Sequence, residues 1–192
     1  RPVLHKVLPL YQTTKQWQKV VDTIQSVAEM EEDPIKLGRL YYSIGVIYRD
    51  EIKNADEAVE RFNRSLDASL ENLKAFEAID RILTQRKDWK NLERAYRKML
   101  HRIAGKGRPE LEINLWHFLG EIYRTRMGQY EPAAEAFKMA SKLDPDNALR
   151  HEILAELYIS LPNRLDDAIQ EYQWMIKQNP YSVESYKALR KL

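Results

Sequence analysis

Leu119-Gly120-Glu121-Ile122-Tyr123-Arg124 repeats, at an offset of 75 residues, the stretch Ile44-Gly45-Val46-Ile47-Tyr48-Arg49. The register reaches back to Tyr41/Trp116 and forward through Ala58/Ala133, Glu60/Glu135 and Phe62/Phe137. An offset held without a gap over about twenty residues marks a repeat array, in which each unit buries its apolar face against its neighbours. The offset itself divides: Tyr123 returns 35 residues later as Tyr158, Ala133 as Ala168, Phe137 as Tyr172 and Pro145 as Pro180. Weaker copies hold Phe76, Ile79 and Leu83 followed by Leu92, Tyr96 and Met99, and Leu4, Val7 and Tyr11 followed by Val20, Ile24 and Val27. The equivalent positions 11, 48, 83, 123 and 158 are spaced by 37, 35, 40 and 35 residues. Every copy has helical apolar spacing, and no strand alternation of any length occurs, so the chain reads as all-α.

Breakers set the expected helix limits. Asp33-Pro34 is a start signal, with Asp33 as cap and Pro34 at the first helical position, and this helix is expected to reach about Glu51. Asn54-Ala55-Asp56 reads as a turn before a partner helix Glu57–Ala68. Helices near Asn72–Gln85 and Trp89–Ile103 follow. Ala104-Gly105-Lys106-Gly107-Arg108 is a linker in which Gly105→Leu is expected to do little, and Pro109 opens a helix that Gly128 ends. Asp144-Pro145 and Asn179-Pro180 punctuate the last copies, and Ser182–Leu192 is a closing helix. Pro9 interrupts the first segment, Val3–Tyr11, which is expected to be short, kinked or frayed.

Composition narrows the function classes. Of 192 residues, 44% are hydrophobic, enough for a core, and 31% are charged, suited to solvated helix faces. A net charge of +2 gives no strong field for nucleic acid or an anionic membrane. The absence of cysteine excludes a disulfide framework and thiol chemistry, compatible with a cytoplasmic location. No apolar run is long enough to span a bilayer and no signal-peptide pattern is present. Because Arg1 is not Met, the chain is expected to be a piece of a longer one.

Trp116-x-x-Leu119-Gly120-x-x-Tyr123, with Ala133-x-x-x-Phe137-x-x-Ala140 and Pro145, resembles the tetratricopeptide repeat, W-x2-L-G-x2-Y…A-x3-F…P with a period near 34 residues. Tyr41-x-x-Ile44-Gly45-x-x-Tyr48 with Ala58 and Phe62 fits nearly as well. A third copy has His151 for the Trp and Ala155 for the Gly, but keeps Leu154, Tyr158, Ala168 and Pro180. The turns at 49–57, 124–132 and 159–167 each carry one residue more than the family pattern. The resemblance, covering roughly residues 1–180, implies a right-handed superhelical solenoid of antiparallel helical hairpins, about five plus a terminal helix. It is read as one domain over 1–192, with units near 1–33, 34–70, 71–108, 109–146 and 147–180 and a terminal helix 181–192. Gly45, Gly120 and Ala155 on the first helices, and Ala58, Ala133 and Ala168 on the second, are expected where helices cross closely. Trp116, Tyr123 and Phe137 are expected to fill the wedges between hairpins.

The chemical candidates have bland readings that fit better. His151-Glu152 begins like H-E-x-x-H, but Ala155 stands where the second ligand is needed, and His151 occupies a packing position. Gly105-Lys106-Gly107-Arg108 lacks the spacing of a phosphate loop. Glu31-Glu32-Asp33 and Asp166-Asp167 suit helix starts. His5, His101, His117 and His151 fall in different units with no metal-ligand spacing. No catalytic, cofactor or metal site is expected.

In the tetratricopeptide family the first helix of each hairpin lines the concave face, where peptides lie. The resemblance implies Tyr42, Val46, Arg49, Glu77, Arg81, His117, Glu121, Arg124, Glu152 and Glu156 as the partner-binding groove. The family's Lys/Asn/Arg clamp for a C-terminal carboxylate is not matched, because Tyr42, Val46, Glu77 and Ala78 stand at the positions it needs. Arg49 and Arg124 follow the wedge tyrosine in both strong copies and either pair with neighbouring acids or contact a ligand. The expected function is a non-catalytic scaffold or adaptor that binds a protein or peptide, without cofactor, nucleic acid or membrane insertion. The alternatives are a regulatory or substrate-presenting segment of a larger enzyme and a self-associating architectural module.

Overall fold

The computed structural model describes residues 9–192, which divide into two compact units, one ending at Asp88 and one formed by Trp89–Leu192. Leu4, His5 and Val7 lie outside the described residues. Helix is the dominant element and no strand occurs among the described residues, as the apolar spacing requires.

In the first unit a helical stretch over residues 9–13 leads to α1 (Trp17–Ala28), then α2 (Pro34–Ile47), α3 (Ala55–Ala68) and α4 (Lys74–Gln85). Asp33 caps α2 as expected, its carboxylate accepting the backbone N–H groups of Ile35 and Lys36. A cap of this kind stabilises a helix by about 1 kcal/mol. The start of α3 corrects the sequence reading: Asn54 is its cap, accepting from the Glu57 N–H, so the helix opens at Ala55. Helices α2 and α3 pack as an antiparallel pair. Their seam is closed by the Ser65 hydroxyl, which donates to the Gly38 carbonyl at 2.7 Å.

The second unit holds α5 (Trp89–Ile103), α6 (Pro109–Glu121), α7 (Tyr130–Leu143), α8 (Ala148–Ser160), α9 (Leu165–Gln178) and α10 (Val183–Lys191). Consecutive helices pack on one another from α5 to α10. One core cluster gathers Ala133, Ala134 and Phe137 from α7, Ile153, Leu154, Leu157 and Tyr158 from α8, and Ala168 from α9. Trp116 and Tyr123 are only half-buried, whereas Phe137 is fully buried. The wedge is thus filled chiefly by the phenylalanine.

The close crossings are where the repeat placed them, but the glycines face rings. A Cβ on Gly45 would lie 2.7 Å from the Phe62 ring, and one on Gly120 would lie 2.8 Å from the Phe137 ring. Glycine leaves the room that the ring edge occupies against the first helix.

The extra residue in two of the turns has a definite place. Helix α2 does not run on as α-helix to Glu51; after Ile47 it widens into a π-helical turn over Tyr48–Ile52. Helix α6 likewise passes into a π-helical turn over Ile122–Met127. A π turn hydrogen-bonds i to i+5 and so absorbs one added residue without breaking the helix. Each ends at a residue in the left-handed region, Lys53 (φ 61°) and Gly128 (φ 64°). The chain then folds back with the Asn54 N–H on the Tyr48 carbonyl at 2.8 Å and the Gln129 N–H on the Tyr123 carbonyl at 2.9 Å. Lys15, Lys87 and Asn163 are left-handed as well, so the described residues put such a residue after the first helix of each hairpin. In the linker, Gly105 has φ 70° with open space around it. Gly105→Leu is therefore strained by the backbone, contrary to the expectation that it does little.

Candidate functional site

In each unit the first helices carry an exposed face that follows helical phase. Residues three, four and seven apart share one side of a helix, so Tyr42, Val46 and Arg49 line one side of α2 and its π turn. In the same register His117, Glu121 and Arg124 line α6 and its π turn, and Glu152 and Glu156 line α8. None of these eight residues is buried, although the chain between them holds the fully packed Ile44, Leu119 and Leu154.

In the first unit, Tyr42 packs against Phe62 with ring centroids 5.5 Å apart. The Arg49 guanidinium lies over the same ring at 5.9 Å and forms a two-pronged pair with Asp50, both contacts at 2.7 Å. Glu77 and Arg81 are exposed on α4 and take no ion pair among the described residues.

In the second unit, His117 takes the place of Tyr42 and meets Phe137 edge-on at 5.3 Å. Burial pushes the His117 imidazole below its ordinary range, opposed by the nearby Glu121 and reinforced by Arg150 and Arg124. Arg124 donates to both oxygens of Glu121, at 2.9 and 3.1 Å. Arg49 and Arg124 thus both pair with acids of their own helix, one of the two readings the sequence left open. Tyr172 stands where Phe62 and Phe137 stand in the earlier hairpins, and its hydroxyl is pushed up first by burial, then by Glu156 and Glu152.

His151 lies on the packing side, as its register implies. Its ring stacks on Trp174 at 3.6 Å, with Nδ1 at 2.5 Å from the Glu171 carboxylate and Nε2 at 2.8 Å from the Pro145 carbonyl. Arg150 beside it is buried, donating to the Ala140 carbonyl at 2.8 Å and pairing with Asp144. No group of three His, Cys, Asp or Glu among the described residues is placed to hold a metal ion. No helix among them is long and apolar enough to cross a membrane.

Sequence reasoning missed the apolar members of the α8 face. Leu149 and Ile159 are 59% and 46% exposed and fall in phase with Glu152 and Glu156. The phase rule would have found them.

Stacked antiparallel hairpins with one face held out of the core define a helical-repeat protein. Residues 113–147, the stretch where the motif is strongest, match the family model of the tetratricopeptide repeat. A curated relative, Superkiller protein 3 of Schizosaccharomyces pombe, is 26% identical over 156 aligned residues, covering 63% of this chain. The chain spans only 11% of that relative's length. Among solved structures, MamA from Desulfovibrio magneticus RS-1 is 15% identical with a TM-score of 0.45, covering 95% of this chain and 97% of that one. A crystal structure of MamA is 13% identical with a TM-score of 0.48, covering 91% of this chain and 95% of that one.

Proposed function

We propose that the chain is a non-catalytic protein- or peptide-binding module whose working surface is the inner face of the first helices. One observation carries this reading. Across hairpins the packing positions hold nearly constant chemistry: Ile44, Leu119 and Leu154, or Phe62, Phe137 and Tyr172. The inner positions vary freely, from Tyr42 to His117 to Glu152, and from Val46 to Glu121 to Glu156. A scaffold held constant under a changing exposed face suits recognition of a partner whose chemistry changes along its length. Affinity would come from preorganisation, since each face is carried on helices already formed before the partner arrives. The π turns fit this role, because such turns are frequent where a helix presents functional side chains, and they hold Arg49 and Arg124.

The test is capture from a lysate with the intact chain, run in parallel with Arg124→Glu and with Lys138→Glu on the second helix α7. The reading requires Arg124→Glu to lose the captured proteins while melting and helicity stay near wild type, and Lys138→Glu to keep them. Arg124 is partly exposed, so loss of its pair with Glu121 costs about 0–1 kcal/mol of stability. Capture that survives Arg124→Glu and fails on Lys138→Glu would move the working surface to the outer helices.

A further inference from the structure

Helix α8 differs from its counterpart α6 in a way that leaves charge unanswered. On α6, Glu121 is paired by Arg124 three residues on. On α8 the equivalent of Glu121 is Glu156, and the residue three positions on is Ile159, which cannot answer it. Glu152 lies four residues before Glu156 on the same face, and neither carboxylate takes an ion pair among the described residues. Like charges at this spacing destabilise a helix. Leu149 and Ile159 bracket the pair along the helix, each about half exposed. The face therefore reads, along about three turns of helix, apolar, acidic, acidic, apolar.

We propose that the α8 face takes a cationic amphipathic segment of a partner protein, with lysine or arginine side chains on Glu152 and Glu156 and apolar side chains on Leu149 and Ile159. This rests on the inner-face reading above and names the chemistry of its occupant. Two features select this occupant. The unpaired carboxylates attract cations and repel an acidic peptide. The two flanking aliphatics give a free cation or a polyamine nothing to bury, but suit a segment that alternates basic and apolar residues. The free chain tolerates the repulsion between Glu152 and Glu156, and the bound partner relieves it.

The probes are a fluorescent lysine/leucine amphipathic peptide and a glutamate/leucine peptide of equal length, titrated against the whole chain by anisotropy. The lysine/leucine peptide is expected to bind, and to weaken as salt rises through the physiological range. Glu152→Lys/Glu156→Lys is expected to weaken it by about tenfold or more, as for charge pairs across an interface. Leu149→Ser/Ile159→Ser should weaken it in a way that salt does not change. A charge-matched control, Glu110→Lys/Asp146→Lys, removes the same number of exposed carboxylates elsewhere in the unit and should leave binding near wild type. Equal loss in the control would reduce the effect to net charge and overturn the proposal. Binding of the glutamate/leucine peptide, abolished by Arg124→Glu, would keep the inner face and discard the cationic occupant. Lysine/leucine binding that survives the α8 reversal but fails on reversals in α7 or α9 would discard the inner face as well. Salt-dependent self-association of the chain, removed by the α8 reversal in sedimentation, would assign the face to a second copy and also overturn the proposal.

Discussion

Hairpin α6–α7 and hairpin α8–α9 follow one plan 35 residues apart and solve the same three problems differently. At the crossing, α6 has Gly120 under a fully buried Phe137, while α8 has Ala155 under Tyr172, which keeps 9% exposure. At the turn, α6 continues into a π-helical segment, while α8 stops at Ser160. Pro162 stands where α6–α7 has Met127, and it lacks the N–H that a π turn would use. The residue before it, Leu161, is accordingly extended. On the inner face, α6 pairs its acid and α8 does not. The lesson is that the backbone plan depends on few positions: a small residue at the crossing, a ring opposite it, and a left-handed residue at Lys53, Gly128 and Asn163. The rest is open to change, and the change falls on the exposed face of the first helices.

The largest break in this comparison comes at the ring. Phe137→Ala should cost about 3–5 kcal/mol, because the ring is fully enclosed. Tyr172→Ala, with its rim already open, should cost less. Urea denaturation of both variants decides it, and equal costs would contradict the ranking. Next is the crossing: Gly120→Ala puts a methyl against the Phe137 ring and should cost about 1–3 kcal/mol. Ala155→Gly should show no comparable penalty from clash.

Much of this plan is legible in the sequence and some is not. The 75-residue offset locates the hairpins, and Asp33-Pro34, Pro109 and Gly128 locate their ends. The π turns appear in the sequence only as a surplus residue, which equally fits a longer loop; which form it takes depends on whether Pro162 or Met127 occupies the turn. The left-handed positions are hidden because three are lysines, residues with no preference for that conformation. The exposure of Tyr42, Arg49, His117 and Glu156 was legible as positions, since they fall out of phase with the packed Ile44, Leu119 and Leu154. Their pairing was not, because whether Arg49 turns to Asp50 or Arg124 to Glu121 depends on side-chain reach in a π turn.

Those hidden lysines give a smaller, signed effect. Lys53→Gly should raise stability by up to about 1 kcal/mol, since a side chain in the left-handed region is strained and glycine is not. Gly128→Lys should lower it by a similar amount, and thermal melts of the two variants check the opposite signs. The smallest effect is alkaline. Burial, with the hydrogen bond from the Tyr123 hydroxyl to Glu93, holds that phenol up to about 12, and burial holds Tyr158 up to about 12. Both raised groups favour the folded state below pH 10, and this contribution is lost as pH rises from about 10 to about 12. Absorbance titration should show two tyrosines ionising late, with stability falling over the same window.

The central claim, that partners meet the first helices and not the second, is tested most directly by hydrogen exchange on the whole chain with and without the lysine/leucine peptide at saturation. The account predicts added protection across residues 149–159 and 114–124, with little change in 130–143 and 165–178. Protection confined to 130–143 and 165–178 would contradict it.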